Sequence, residues 1–404
     1  MGVIFNEAEA VWEWLMTHLI VINLLFSIII IFFQRRDPRS VWTWLFALNF
    51  IPVFGIIFYL LFGQDLKKSR MFKVKGISDR LNMPVKSQEE IIRSSDIPEE
   101  MMDPLIRDFR SLILYNLETS GAVLTTDNQV KIYTDGQAKF EGLRTALRRA
   151  SRFIHIQYYI IKNDEVFDSI VPILEDKVRE GVEVRILYDG MGGRFMPKRR
   201  WEELRRAGIL VGVFFPPILG WLNLRVNYRN HRKIVVIDGN VGFVGGFNIG
   251  REYISKDPGF GYWRDTHLRI TGEAVMSLQI RFALDWNYAT GENLFKNEAY
   301  FRTDLKKKTD VRRDKERPAW PDPELEGSQV GMQIIASGPD TREPHIRNNY
   351  LELFHKAKHH IYIQTPYFVP DDAIFSALKM AALSGVDVRL MIPCKPDHPF
   401  VYRA

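Results

Sequence analysis

The sequence repeats one order of segments, a strand followed by a helix and then a second strand. The first copy contains the strings FIHIQYYII and GVEVRILYDG on either side of a helical stretch, and the second contains HIYIQTPYFV and GVDVRLMIPC in the same arrangement. Gln157 aligns with Gln364 and Gly181 with Gly385. Segments that alternate in this way are typical of sheets covered by helices. The repeat therefore predicts an α/β architecture with two related halves.

The second half is shorter than the first. In the first half His231 follows the repeated unit, and the equivalent position of the second half would lie beyond Ala404. We therefore expect the second repeat to be incomplete. The expected boundaries are 1–66 for an apolar N-terminal part, 67–120 for a linker, 121–303 for the first domain, 304–330 for a charged, proline-rich linker and 331–404 for the start of the second domain.

Two long apolar runs precede the repeat, at residues 11–33 and 41–63. At about 1.5 Å per helical residue, each run is long enough to cross a hydrocarbon core of about 30 Å. Glu13 and His18 are the only ionisable side chains in the first run, and the second run has none. We therefore expect a transmembrane helical hairpin and a multi-pass location in the cell membrane. More basic residues follow the second run than lie between the runs, which favours a cytoplasmic globular part.

Charge and cysteine content exclude several classes of protein. The net charge of +6 is modest for 404 residues, so a purely electrostatic nucleic-acid binder is not indicated, and anionic lipid or phosphate suits the balance equally well. The single cysteine, Cys394, excludes an internal disulfide framework and a cysteine-rich metal site. His355, His359 and His360 lie among lysines without a suitably placed carboxylate, so we expect no metal there.

The string YRNHRKIVVIDGNVGFVGGFNIG contains the side chains best suited to catalysis. His231 and Lys233 are two positions apart, so a strand that begins here would project the imidazole and the ammonium to the same face. A neutral histidine can attack a phosphodiester while a lysine neutralises charge on the phosphoryl oxygens. Asp238 lies in a turn, where it could orient a histidine or balance the lysine charge. Taken alone, a His-x-Lys pair also occurs at half-buried strand edges.

Three further residues of this string suit phosphate binding. Gly245 and Gly246 would let the backbone approach a phosphate closely. Asn248 offers an amide that could bind a phosphoryl oxygen or fix the imidazole. These residues complete a candidate site for phosphoryl transfer without a metal or other cofactor.

The spacing of these residues resembles the phospholipase D superfamily, whose signature is His-x-Lys, four residues, Asp, six residues and Gly-Ser-x-Asn. Gly246 stands where many members have serine, which removes a hydroxyl ligand. The N-terminal hairpin with its string RRDP, and the strings IHIQYY and WRDTHLRITG, are similar to the bacterial cardiolipin synthase branch in particular. The resemblance implies a phospholipase D-like α/β/α sandwich over 121–303 and the beginning of a second one over 331–404.

The resemblance also implies an activity. In the cardiolipin synthase branch a histidine attacks phosphatidylglycerol, glycerol leaves, and a second phosphatidylglycerol resolves the phosphohistidine to give cardiolipin. His231 takes the role of nucleophile by this pattern. The partner histidine of a second motif acts as acid and then base, and this sequence does not contain it. We therefore expect a truncated chain, with pairing of two chains as a homodimer as the alternative.

Two further residues and the function itself each allow more than one interpretation. The WRDTHLRI string contains Asp265 and His267, which are expected either to support the phosphate site or to form a structural hydrogen-bonded pair. The expected partners are phosphatidylglycerol, other anionic lipids and the membrane, and not nucleic acid. The rival functions are a catalytically inactive lipid-binding module and a phospholipase D that uses water. A nuclease is disfavoured by the hairpin.

Overall fold

The structure is a computed structural model that describes residues 2–33, 38–63, 88–90, 92–93, 104–216, 229–301, 330–338, 341 and 343–394. The predicted linker at 304–330 lies outside these residues except for Val330, as does most of 67–103. The described residues divide into two units. The first consists of 2–63 with 215, 216 and 229, and the second holds the remainder.

The described residues of the first unit form three α-helices, α1 to α3, which are Gly2–Ile28, Pro38–Phe50 and Pro52–Phe62, and a π-helical segment, Ile29–Phe33, that follows α1. The single helix expected over 41–63 is interrupted at Ile51, whose φ of −130° and ψ of 61° are not helical. Pro52 explains the break, because proline lacks an N–H and disfavours helical backbone at the preceding residue. Among the residues that the structure describes, no helix is both long and apolar enough to cross a membrane. These helices therefore do not confirm the predicted hairpin.

The second unit is built around an eight-stranded sheet with the order β4-β3-β2-β5-β6-β7-β1-β8. Strands β2, β3 and β4 are parallel, and the other neighbouring pairs are antiparallel. The strands are β1 Thr125–Tyr133, β2 Phe153–Tyr158, β3 Glu183–Asp189, β4 Leu210–Phe214, β5 Ile234–Ile237, β6 Val241–Gly245, β7 His267–Thr271 and β8 Val330–Met332.

The helices between residues 104 and 290 are α4 Pro104–Asp108, α5 Arg110–Ser120, α6 Gly136–Arg148, α7 Glu165–Asp168, α8 Val171–Arg179, α9 Lys198–Arg206 and α10 Ala274–Thr290. Those from α6 to α10 cover the two faces of this sheet. On one face Ile154 and Ile156 of β2 join an apolar core with side chains of α6, α8 and α9. Because side chains alternate along a strand, His155 and Gln157 face α10 instead, where they meet Gln279 and Asp285. These layers confirm the predicted mixed α/β fold.

The second copy of the repeated unit also forms a strand, a helix and a parallel strand. Its elements are α11 His345–Lys356, β9 His360–Gln364, α12 Asp372–Leu383 and β10 Asp387–Met391. His360 pairs with Asp387 in the same way that Phe153 pairs with Glu183. Gly181 and Gly385 both precede the second strand with φ of 86° and 91°, a left-handed conformation that glycine adopts without strain. The predicted strand, helix and strand of each copy are therefore confirmed.

An amide cluster joins helix α5 to the second copy within the second unit. Asn116 of α5 exchanges side-chain hydrogen bonds with Asn349 of α11, at 2.8 and 3.0 Å. The Asn116 amide also donates to Gln333, whose own amide donates to the carbonyl of Ala122 at 2.7 Å. Helix α5, part of the segment predicted to be a linker, is thus the element on which the second copy packs.

Asp238 secures the end of β5 to the start of β2. Its buried carboxylate accepts hydrogen bonds from the backbone amides of Ser151, Arg152 and Phe153 at 2.8 to 2.9 Å, and from the Ser151 hydroxyl at 3.0 Å. Its backbone has a φ of 56°, a region in which aspartate and asparagine are enriched. Asp238 therefore both closes the turn after β5 and caps the loop that enters β2.

We expect Asp238→Ala to destabilise the fold strongly. It leaves buried amides without an acceptor and places alanine in a left-handed conformation, so a loss of at least about 3 kcal/mol is expected. Asp238→Asn keeps one acceptor oxygen and tolerates this φ, so it is the matched control and should lose less than half as much. Guanidinium denaturation of the full chain in detergent measures both, and equal stabilities of Asp238→Ala and wild type would contradict the assignment.

Candidate functional site

The candidate residues converge on one edge of the eight-stranded sheet. The parallel strands β2, β3 and β4 end at this edge, and the antiparallel β5 begins there. Strand β6 ends and β7 begins at the same edge, since Gly245 pairs with His267. Loops at the carboxyl ends of parallel strands commonly form ligand sites in α/β proteins. The topology therefore brings together segments that are far apart in the sequence.

His231 lies at this edge with its ring against Tyr159. The two ring centroids are 4.7 Å apart, and His231 remains accessible to solvent. Partial removal from water, and then the positive charge of Lys233, lowers the pKa of His231 to about 4. The imidazole is therefore neutral at pH 7, which is the form that can act as a nucleophile.

Lys233 precedes β5, which begins at Ile234 and not at His231 as the sequence predicted, so neither side chain lies on the strand. Its side chain is 4% exposed, and its ammonium donates to the carbonyl oxygen of His231 at 2.8 Å. The same ammonium lies 5.5 Å from the centroid of the Tyr159 ring. Burial, partly opposed by the Asp265 carboxylate, lowers the pKa of Lys233 to about 7. The structure thus places the imidazole of His231 and the ammonium of Lys233 beside the same ring, that of Tyr159.

Asp238 does not belong to this group. It lies beyond the other end of β5, and the four residues of that strand alone span roughly 13 Å. Its carboxylate is occupied by the backbone amides and the hydroxyl described above. Asp238 therefore neither contacts His231 nor balances the charge of Lys233, as the sequence had suggested, and it fixes the far end of the strand that both residues precede.

The glycine pair allows β6 and the segment before β7 to approach each other closely. A Cβ on Gly245 would lie 2.6 Å from Nδ1 of His267, and one on Gly246 would overlap the Asp265 carboxylate. The amide of Gly246 donates to the carbonyl oxygen of Thr266 at 2.9 Å, so it already has an acceptor. A serine at Gly246 would require Asp265 to move. The structure therefore shows close packing at these glycines, and their contact with a phosphate stays a prediction.

Both ends of the Asn248 amide are used within the protein. Its Oδ1 accepts from the backbone amide of Ile160 at 3.1 Å, and its Nδ2 donates to the Tyr253 hydroxyl at 2.8 Å. The side chain is buried. Asn248 therefore fixes the segment after β2, which contains Tyr159, and its binding of a phosphate stays a prediction.

Asp265 and His267 lie behind Lys233 and do not bond to each other in the structure. Asp265 is partly exposed, and its carboxylate accepts from the amide of Thr266 at 2.6 Å. His267 is fully buried, and no hydrogen-bond partner of its ring nitrogens lies in the described part of the chain. Burial, and then the positive charges of Lys139 and Lys233, lowers the pKa of His267 well below its usual value. The imidazole is therefore neutral.

Lys139 was missed by the sequence analysis. It is fully buried in α6 and donates to the Tyr158 hydroxyl at 2.8 Å, with its ammonium 3.8 Å from the centroid of the Phe140 ring. Burial lowers its pKa well below the usual value. The sequence does contain one indication of this position. Lys139 lies four residues before Leu143, and this spacing places the lysine on the apolar face of the helix.

A buried carboxylate holds both neighbours of His231, and it too was missed. Asp285 of α10 is fully buried, and its Oδ2 accepts from Asn230 at 2.9 Å and from Arg232 at 2.8 Å. It also accepts from Gln157 at 2.7 Å. The backbone amide of Asn230 donates in addition to Asp189 at 2.9 Å. The signal was an acidic residue spaced three positions from Phe282 on an apolar helix face.

Comparison with known proteins identifies the family. A family model described as "Cardiolipin synthase, PLD-like domain" matches residues 143–260 and 350–404, and one described as "Phospholipase_D-nuclease N-terminal" matches 21–64. A cardiolipin synthase of Staphylococcus aureus is 46% identical over 386 residues, covering 95% of this chain and 74% of that protein. One of Listeria innocua is 42% identical over 394 residues, covering 97% and 77%. The chain belongs to the cardiolipin synthase family.

Membership of this family confirms the resemblance stated from the motif. The chain is an enzyme of the phospholipase D superfamily. Among solved structures, phosphatidylserine synthase of Haemophilus influenzae matches with a TM-score of 0.43 and 15% identity, over 67% of this chain and 65% of that one.

Within the residues that the structure describes, no group of three or more histidine, cysteine, aspartate or glutamate side chains is placed to hold a metal ion.

We expect Asp285→Asn to lower kcat while leaving KM little changed. The substitution removes the charge that pairs with Arg232 and presents an amide N–H to groups that are themselves donors. A displacement of His231 by about 1 Å would reduce the rate roughly 100-fold. The matched control is Glu203→Gln, which removes an exposed partner of Arg199 and Arg200 and should leave activity unchanged. Wild-type kcat in Asp285→Asn would contradict the positioning role.

Proposed function

We propose that this chain transfers a phosphatidyl group from one phosphatidylglycerol to another, giving cardiolipin and glycerol through a phosphohistidine on His231. The observation that carries the proposal is the pairing of a neutral, accessible imidazole with the Lys233 ammonium on the ring of Tyr159. In a member of the cardiolipin synthase family, a neutral histidine beside a cation suits attack on a phosphodiester.

The first step forms a bond between a ring nitrogen of His231 and the phosphorus of phosphatidylglycerol. The bond from phosphorus to the oxygen of the glycerol headgroup breaks, and that oxygen takes up a proton as glycerol leaves. The Lys233 ammonium, within reach of the same ring, stabilises the negative charge that develops on the phosphoryl oxygens. An arriving phosphate favours the charged form of Lys233, since an opposite charge raises the pKa of an amine.

The second step reverses the first with a different alcohol. The headgroup hydroxyl of a second phosphatidylglycerol loses its proton and attacks the same phosphorus, while the bond to His231 breaks. Cardiolipin leaves, and the imidazole returns to its neutral form. The superfamily pattern assigns both proton transfers to the histidine of a second motif. These 404 residues contain one His-x-Lys motif, so further sequence or a second copy of the chain would supply the other.

The remaining residues of the site act by holding these two side chains. We propose that Asp285 fixes the backbone on either side of His231, that Asn248 fixes the segment with Tyr159, and that Asp238 anchors the far end of β5. The Asp265 carboxylate favours the protonated form of Lys233. Gly245 and Gly246 provide the space for β7 to lie against β6.

We further propose a membrane setting for this reaction. The apolar runs at 11–33 and 41–63 are long enough for a hairpin in the cell membrane, and the basic residues that follow support a cytoplasmic globular part. The repeated strand, helix and strand support a pseudo-symmetric second domain that begins near residue 331. Phosphatidylglycerol and other anionic lipids are the proposed partners.

The test is to supply radiolabelled phosphatidylglycerol in vesicles to this chain, to an extended chain with a second motif, and to His231→Ala of each. We expect labelled cardiolipin and an acid-labile phosphohistidine, both lost in His231→Ala because the nucleophile is gone. Phosphatidic acid in place of cardiolipin would support the hydrolase instead. Label that stays on the protein in His231→Ala would refute the nucleophile, and no lipid product from either form would favour the inactive lipid-binding module.

We expect a bell-shaped dependence of kcat/KM on pH. Activity should rise with pH through about 4 as His231 loses its proton, and fall above about 7 as Lys233 loses its own. Lys233→Arg should move the fall to higher pH, because arginine stays charged to above about 12. Lys198→Arg, on the exposed face of α9, is the control and should leave both limbs in place. An unchanged alkaline limb in Lys233→Arg would show that another group sets it.

A further inference from the structure

Three exposed aromatic side chains surround the edge of the sheet at which His231 lies. They are Phe195, Phe260 and Tyr262, which are 43%, 37% and 71% exposed, and we call them the aromatic rim. Phe195 ends the turn that follows β3, and the other two lie in the loop that leads to Asp265 and β7. Large aromatic side chains at high exposure beside a site indicate an interaction surface.

The loop of Phe260 and Tyr262 has a defined backbone. The amide of Gly261 donates to the carbonyl of Asp257 at 2.9 Å, and the amide of Trp263 donates to the Ser255 hydroxyl at 3.0 Å. Gly261 has a φ of 74°, which glycine adopts without strain. These hydrogen bonds therefore fix the backbone from which Phe260 and Tyr262 project.

The same loop is tied to the site. The Trp263 ring packs against Phe260 at 5.5 Å and against Tyr253 at 4.9 Å between centroids. Tyr253 in turn accepts the hydrogen bond from Asn248, which fixes the segment after β2. A surface that engages Tyr262 is therefore connected to the groups that hold Tyr159 and His231.

Lys162 links Phe195 to the loop that contains Phe260 and Tyr262. Its ammonium lies 5.5 Å from the centroid of the Phe195 ring and 2.7 Å from the carboxylate of Glu252, which adjoins Tyr253. The Arg194 guanidinium stacks on Phe195 at 4.8 Å. Both loops thus belong to one edge of the second unit.

The charge around the rim is positive. Arg194, Lys256 and Arg264 are exposed beside the aromatic residues. Of the nearby acids, Glu252 pairs with Lys162 and Asp257 with Arg251, and the charge of Asp265 acts on the buried Lys233. Aromatic rings with adjacent cations are the composition that favours the headgroup region of an anionic bilayer.

We propose that the aromatic rim docks on the surface of an anionic bilayer and presents headgroup phosphates to His231. The choice of a lipid surface as occupant rests on the proposed phosphatidyl transfer. The rim side chains touch neither His231 nor Lys233, so their role is to bring the site to its substrate. Single-stranded nucleic acid, which also binds exposed aromatic and basic residues, is the alternative that the test must separate.

The test places an environment-sensitive fluorophore on the full chain at Tyr262→Cys, after the exposed Cys394 is replaced by serine. Vesicles contain phosphatidylglycerol with brominated acyl chains, or phosphatidylcholine with the same chains. The matched control is Leu210→Cys, an exposed apolar position at the opposite end of β4. We expect quenching at 262 and not at 210, stronger with phosphatidylglycerol.

Variants that remove one positive charge measure the electrostatic contribution to vesicle binding. Lys256→Gln and Arg264→Gln should each raise the lipid concentration for half-maximal quenching by about fivefold with phosphatidylglycerol, and hardly at all with phosphatidylcholine. Quenching that is absent at 262, or equal at 262 and 210, would overturn the proposal. So would a single-stranded oligonucleotide that shifts the fluorescence at 262 while vesicles do not.

Activity separates this proposal from the proposed function. Tyr262→Ser and Phe195→Ser should raise the KM for phosphatidylglycerol in vesicles several-fold, with kcat for short-chain, monomeric phosphatidylglycerol unchanged. Quenching at 262 without formation of cardiolipin would support the docking surface and refute the proposed phosphatidyl transfer. Formation of cardiolipin at the wild-type KM in both variants would refute the docking surface and support the transfer.

Discussion

The strand that follows His231 and Lys233 is held at both ends by buried carboxylates. Asp285 binds the side chains on either side of His231, and Asp238 binds the backbone at the start of β2 from the other end. Each carboxylate is matched by several donors, which is the condition for burying a negative charge at tolerable cost. The position of the imidazole at the sheet edge follows from this arrangement, because β5 pairs with β2 and β6 on either side.

Burial also sets the protonation states at the site. His231 and His267 are neutral because the surrounding protein excludes water and because lysines lie near them. Burial lowers the pKa of Lys233 to about 7, and the Asp265 carboxylate opposes this shift. A neutral nucleophile beside an amine that is readily charged by an arriving phosphate suits phosphoryl transfer. The same low-dielectric setting strengthens the attraction between that ammonium and the phosphate.

Several residues of the motif have roles that its spacing could not reveal. Asp238 and Asn248 were predicted as catalytic and phosphate-binding residues, yet their polar atoms are used by backbone amides and by Tyr253. Spacing along the chain does not tell which end of a strand a side chain will occupy. Asp285 could not be assigned either, since its three donors lie 53 to 128 positions away in the sequence. The second apolar run was predicted as one helix, whereas Pro52 divides it into two at Ile51.

The sequence by itself determined the alternation of strands and helices and the two related copies, and it predicted the pair of His231 and Lys233 as the candidate reactive groups. These depend on local periodicity and on side-chain chemistry, which are properties of neighbouring residues. Only the tertiary structure decided which candidate residues meet at the sheet edge and which of them hold β5 in place. It also decided that Phe195, Phe260 and Tyr262 form one rim. Those outcomes depend on strand order and on contacts between distant segments, and no short window of sequence contains them.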